Sequence, residues 1–201
     1  MDKGDFYMYD IISIERECGS AGNYIAKKLS TDLGYKLLDH NVLVEASKKM
    51  GLPAIYIKDL EETSPGSIIF NLAKYATSEE PLSDKLFRTE KEIIQEQAKK
   101  GPCIVLGRCG GEIFGEDVKV LRIFIHADRE FRIAKTMVEK SMTRSEAETE
   151  VKKGDKRRKD FYNFHTGKVW AQPDNFELII DSGKLGIDMC VQIIKAMNEF
   201  E

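Results

Sequence analysis

The chain has 201 residues, 42% hydrophobic and 32% charged, enough for one good core and a single domain. Lys and Arg total 31 against 34 Asp and Glu, a net charge of -3, so no global attraction to nucleic acid or anionic lipid is expected and any anion binding must be local. No apolar run approaches the roughly 20 residues of a membrane span, and Met1 to Asp5 lacks the apolar core of a secretory signal, which makes the cytoplasm the expected compartment.

The chain begins its periodic part with Tyr9, Ile11, Ile12 and Ile14, a β-branched strand pattern broken by Glu15 to Gly22. From Asn23 onward Ile25, Ala26, Leu29 and Leu33 mark one helical face, and Gly34 stands where a helix stops. Strand, small-residue loop and helix N-terminus together form an anion-binding arrangement, with phosphate the expected ligand. Two readings stay open for the loop: a phosphate cradle or a plain turn kept small for packing. The full signature G-x-x-x-x-G-K-[ST] is not met, because Arg16 takes the first glycine position and Gly22 the lysine position. Cys18, ahead of the helix, is expected to have a lowered thiol pKa, and Cys103 reads as a small buried hydrophobe. Neither the four cysteines nor the three histidines show metal-ligand spacing.

Tyr35 to Leu38 is a short strand ending in Asp39, and Asn41 to Met50 a helix closed by Gly51. Asp39 therefore either lies at the carboxyl edge of a sheet, where such folds place ligands, or caps the helix. Residues 52–81 lose periodicity between Ser64-Pro65-Gly66 and Glu79-Glu80-Pro81, and read either as a substrate-covering insert or as a surface excursion. Ser83 to Lys100 is a long helix; Pro102 to Leu106 is a buried strand running into Gly107-Arg108-Cys109-Gly110-Gly111. Arg108 at that strand end is either a bidentate phosphate binder or half of a surface ion pair.

Val118 to Ile125 is a further strand, and Asp128 caps a helix with Arg132 in its early turns. Thr143-Arg144-Ser145-Glu146 has capping-box spacing and starts a helix carrying Lys152, Lys153, Lys156, Arg157, Arg158 and Lys159. Nearby aromatics permit nucleic-acid binding, but Glu146, Glu148 and Glu150 on the same helix favour a cationic lid over 143–172, or a solvated face. Phe176 to Ile180 and Gly186 to Phe200 supply a last strand and helix. Strands alternating with helices predict an α/β fold with a mainly parallel sheet flanked on both faces.

Taken together, Ile12 to Gly22, Gly34 to Asp39, Val105-Leu106-Gly107-Arg108, Asp155 to Tyr162 with Thr166-Gly167-Lys168, and Asp181 to Asp188 resemble the cytidylate kinase-like family of bacterial proteins. The resemblance runs nearly end to end and implies one P-loop NTPase-type three-layer domain with a helical lid. It also implies a phosphotransferase that uses ATP and Mg²⁺ on a nucleoside monophosphate or similar phosphorylated small molecule. The alternative is a nucleotide-binding sensor or interaction protein with a degenerate loop. By position, Gly19, Ser20, Ala21, Gly22 and Asn23 would hold the cofactor, Asp39, Gly107 and Arg108 the acceptor, and Arg132, Asp155 and Arg158 would serve catalysis. Arg16, a cation inside the loop, is the candidate to stand in for the missing lysine.

Overall fold

The computed structural model describes residues 9–52, 82–115 and 117–199. In chain order these form β1 (Ile11–Arg16), α1 (Gly22–Leu33), β2 (Lys36–Leu38), α2 (Asn41–Lys49), α3 (Leu82–Ala98), β3 (Cys103–Leu106), β4 (Val120–His126), α4 (Arg129–Lys140), α5 (Arg144–Thr166), β5 (Leu178–Asp181) and α6 (Ser182–Glu199). The expected insert lies almost wholly outside the described residues, since only Leu52 of it is among them. Among the described residues no helix is long and apolar enough to cross a membrane.

Five strands pair in the order β2-β3-β1-β4-β5, and every pairing is parallel. Parallel strands buried on both faces need apolar residues at successive positions, which is why Cys103 to Leu106 is an unbroken buried run. Ile12, Ile14, Ile104, Leu106, Leu121, Ile123 and Ile125 pack on one side with Ile25 and Leu29 of α1 and Cys190, Val191 and Ile194 of α6. Ile11, Leu38, Cys103 and Val105 pack on the other with α2 and α3. Glu15 continues the Ile11–Ser13 face by the two-residue repeat of a strand, so it points toward α2 and α3 rather than toward α1.

The strand β1 runs two residues beyond the expected break. Glu15 and Arg16 stay in the sheet because they pair with Phe124 and Ile125 of β4, and the ladder outweighs their charge. The capping box is present: the Thr143 side chain accepts from Glu146 N–H, and the Glu146 carboxylate accepts from Thr143 N–H. The last helix includes Ser182 to Leu185 ahead of a non-helical Gly186 (φ 75°).

Sheet order fixes where a ligand can sit. From β1 the chain turns to β2 on one side, and from β3 it crosses to β4 on the other, so a crevice opens between the carboxyl ends of β1 and β3.

Candidate functional site

A cavity of about 350 Å³ occupies that crevice. Glu15 and Arg16 from the end of β1, Cys18, Gly19 and Asn23 from the loop and α1, Leu106 from β3, and Gly107 and Arg108 from the turn after it line its floor. α5 covers it with Gly154, Arg157, Arg158, Phe161, Tyr162 and His165, and α3 closes the far end with Ser83, Leu86, Phe87 and Glu90.

Its floor is bent into shape by left-handed backbone. Gly107, Arg108 and Cys109 follow one another at φ 76°, 57° and 54°. Non-glycine residues in that region are strained, and two in succession directly after a strand mark a turn held by its surroundings. Gly19 is left-handed too (φ 78°), and a Cβ there would come within 2.5 Å of the Arg132 carbonyl oxygen and 2.8 Å of Thr136 Oγ1. Gly22 and Gly107 have another reason to lack side chains: the Arg16 side chain passes over both and occupies the space a Cβ would take. The lysine position of the loop is thus a glycine so that an arginine from the strand can cross it.

Arg16 donates from Nε to Asn23 Oδ1 (3.3 Å), and its carbonyl oxygen accepts from Arg158 Nη1 (3.0 Å). Burial, then the neighbouring Arg158, pull its pKa down to about 9; Glu15 opposes and Arg108 adds to the fall. Arg158 and Arg108 thus press on Arg16 at the cavity. Glu15 beneath them is fully buried, and burial raises its carboxyl against the pull of Arg16 and Arg158.

Other residues expected at the site lie behind it. Arg132 does not line the cavity; 9% exposed, it donates to the Ala127 and Cys18 carbonyls and to Asp155 Oδ2 (2.6 Å), and meets Glu17 Oε2 at 3.2 Å. Asp155 in turn accepts from Cys18 N–H at 2.7 Å, so it ties α5 to the loop. Ser20 turns inward, its hydroxyl donating to the Glu17 carbonyl (2.9 Å) and its own carbonyl accepting from Ser182 Oγ (2.6 Å). Ala21 takes the left-handed position (φ 61°) ahead of α1. Asp39 accepts from Asn41 N–H and Nδ2 at the start of α2, and its neighbour His40 lines the cavity in its place. The expectation for Cys18 is corrected: the thiol lies under Gly154, and burial raises its pKa instead of lowering it.

The far end of the cavity carries residues that sequence spacing did not single out. Glu90, 1% exposed, meets Arg108 Nη1 at 3.3 Å, and the Arg108 guanidinium lies over the Phe161 ring at 5.6 Å. His165 stacks on Phe87 with centroids 3.9 Å apart, and burial lowers its pKa to about 4. One signal was available for Glu90: it falls on the inner stripe of α3 with Leu86, Ile93 and Ile94, where a lone carboxylate is out of place.

A crystal structure of an uncharacterized protein from Eubacterium ventriosum is 22% identical and has a TM-score of 0.68, covering 93% of this chain and 96% of that one. Shikimate kinase from Acinetobacter baumannii in complex with shikimate (14% identity, TM-score 0.51, 96% and 94% covered) shares the fold. A sugar kinase from Janibacter does so as well (11%, 0.52, 94% and 93%). No curated protein matches the sequence. The architecture is thus the α/β fold with a parallel sheet that the alternation of strands and helices predicts, and the three-layer fold of the P-loop kinases that the family resemblance implies. The model of the cytidylate kinase-like family matches residues 11–184, a span that includes the glycine loop and the Gly107-Arg108 turn, and the chain belongs to that family.

Proposed function

We propose that this protein is a phosphotransferase that moves the γ-phosphate of ATP to a nucleoside monophosphate or a similar phosphorylated small molecule. The observation that carries this reading is the convergence of Arg16, Arg108 and Arg158 on one cavity at the sheet's carboxyl edge. Arg158 and Arg108 crowd Arg16, a cost that a multivalent anion would relieve. Phosphoryl transfer asks of a protein mainly positioning and charge stabilisation, which guanidiniums supply without a loop lysine.

In this reading Arg16 and Arg158 hold the transferring phosphoryl group, Gly19 and Asn23 border the donor, and Arg108 binds the anionic group of the acceptor. Arg132 and Asp155 act one layer back, holding the loop in shape. α5 serves as the lid, and the chain works as one kinase-like unit. A bond forms from an acceptor phosphate oxygen to the γ-phosphorus while the bond from that phosphorus to the bridging oxygen breaks, leaving ADP. A phosphate monoester, with a second pKa of about 6, arrives with its nucleophilic oxygen already deprotonated, so no general base is required. Among the described residues no group of three or more His, Cys, Asp and Glu could hold a metal. Glu15, the carboxylate that lines the cavity beside the loop, would contribute one oxygen ligand to Mg²⁺ held otherwise by phosphate oxygens and water. Bound there, Mg²⁺ would neutralise phosphate charge.

ADP production from ATP across CMP, dCMP, UMP, AMP, GMP and shikimate tests the reading. Turnover of a monophosphate is expected, with Arg108→Ala lowering kcat/KM for it by roughly ten- to a hundredfold, the ~1.5–3 kcal/mol of a charge-assisted contact. No turnover of any monophosphate by folded, ATP-binding protein would overturn it. Gly22 in the lysine position favours a second reading, nucleotide binding without transfer; ATP affinity without ADP formation would establish that one.

A further inference from the structure

The turn that carries Arg108 is strained at two successive residues, and contacts from three sides hold it. Gly107 N–H donates to the Ile14 carbonyl (2.9 Å), Gly110 N–H to the Gly107 carbonyl (3.0 Å) and Glu112 N–H to the Cys109 carbonyl (2.8 Å), so turn follows turn from the end of β3 to Glu112. A Cβ on Gly110 would come within 2.6 Å of Val105 Cγ1, so the chain presses directly on the strand behind it. From α3, Gln95 Nε2 donates to the Ile113 carbonyl (2.7 Å). From α5, Tyr162 Oη donates to Glu112 Oε1 (3.2 Å), and Lys168, just past the end of that helix, pairs with Glu112 Oε2. Tyr162 is buried, and burial, then the Glu112 carboxylate, push its phenol pKa up, so the hydroxyl keeps its proton and remains a donor.

Glu112 is not among the described residues that line the cavity, so its influence on a ligand passes through its neighbours. Those neighbours lead to two of the cavity's arginines. Arg108 stands four residues before Glu112, and Arg158 one helical turn before Tyr162 on α5. Phe161, adjacent to Tyr162, meets the Arg108 guanidinium with its ring at 5.6 Å. α5 thus holds the turn at both ends, at the guanidinium through Phe161 and at the backbone beyond it through Glu112. Left-handed backbone at Arg108 and Cys109 persists only where its surroundings over-determine it. Transfer between two bound reactants is sensitive to such placement, since a shift of about 1 Å can cost about a hundredfold in rate.

Resting on the phosphotransferase reading, we propose that Glu112 is a positioning residue: by tying the Arg108 turn to Tyr162 and Lys168, it sets Arg108, at the acceptor's anionic group, in register with Arg158, at the transferring phosphoryl group. One helix then aligns acceptor with donor, although Glu112 touches neither.

Steady-state kinetics with the full chain test this, using MgATP and whichever of CMP, dCMP, UMP, AMP and GMP turns over fastest. Glu112→Ala should lower kcat/KM for that monophosphate about tenfold, a fall no larger than Arg108→Ala causes, while MgATP affinity by calorimetry stays within about twofold. Glu112→Gln keeps an oxygen acceptor for Tyr162 and Lys168 and should restore most of the activity. The Arg108→Ala/Glu112→Ala double variant separates positioning from a general structural role. A residue that acts through Arg108 adds nothing once Arg108 is gone, whereas independent damage multiplies. If Glu112→Ala does not melt cooperatively, Lys168→Met, at an exposed position, takes its place and should show a smaller loss with the same lack of addition. Unchanged kcat/KM, losses that multiply, or MgATP affinity falling as far as kcat/KM would each overturn the inference and leave the phosphotransferase reading standing. No turnover of any monophosphate by folded, ATP-binding protein would overturn both.

Discussion

Beside the glycine loop, the buried charges answer one another: Arg132 meets Glu17, Asp155 and two backbone carbonyls, and Asp155 also receives the Cys18 N–H. At the other end of the same cavity, Glu90 keeps an oxygen without a hydrogen bond among the described residues, and Arg108 sits at a strained turn with a loose carboxylate contact and a ring contact to Phe161. On the proposed function, the difference separates charges that maintain the fold from charges left for a ligand. Arg132 and Arg108 are both arginines near one cavity, yet removing them should harm different properties.

The sharpest way to break the comparison is Arg132→Leu. It strands Glu17 and Asp155 and frees two carbonyls, so unfolding free energy should drop by about 3–5 kcal/mol, the cost of removing one partner of a buried pair. Urea denaturation measures this. A loss under about 1 kcal/mol, the range of an exposed ion pair, would place Arg132 among the ligand-facing charges after all. Arg132→Lys should recover little of the loss, since one ammonium cannot reproduce a fork that reaches Ala127, Cys18 and Asp155 together.

Gly19→Ala probes the same end of the cavity through the backbone. With φ at 78° and the Arg132 carbonyl 2.5 Å from the added Cβ, the substitution should cost on the order of 1–3 kcal/mol in the same assay. A neutral outcome would mean that the loop rearranges freely and is not held by its packing on α4.

A further test belongs to the far end and is a matter of pH. His165 titrates near 6.5 when unfolded but near 4 when folded, because burial disfavours its cation; Asp84 opposes this and Arg108 adds to it. Between those values the unfolded chain binds more protons, so the histidine's contribution to stability is complete above about 6.5 and is lost as pH falls toward 4. Glu15, Glu17 and Glu90 have raised carboxyl pKa values and slope the opposite way, so the comparison is wild type against His165→Phe. The variant should lose the histidine part of the slope between pH 4 and 6.5. Parallel curves would show that His165 is solvated.

Much of this architecture is legible in the residues. The apolar runs at Ile11 and Cys103, the helical face of Ile25, Ala26 and Leu29, and the Thr143–Glu146 box are local patterns, and each element forms where its pattern stands. The glycine loop and Arg108 are legible too, because strand ends and small residues mark a ligand edge. What stays hidden is pairing across the chain. Nothing near Asp155 shows that it will meet the Cys18 N–H, 137 positions away, or that Arg132 will serve the loop from behind. The Arg16 side chain crossing Gly107 likewise depends on β1 and β3 lying side by side. Glu90 was visible only as a charge out of place on an apolar stripe, and its meaning came from what α5 brings opposite it.

The central claim is that the arginines of β1, β3 and α5 share a phosphate-bearing ligand, and Arg16 is the one nearest the missing lysine. Calorimetric titration of MgATP into wild type and Arg16→Ala, with melting curves for both, tests it most directly. We predict folded protein in both cases and an affinity lower by about ten- to a hundredfold in the variant, the worth of one charge-assisted contact. Equal affinity for MgATP in a well-folded Arg16→Ala protein would contradict the account.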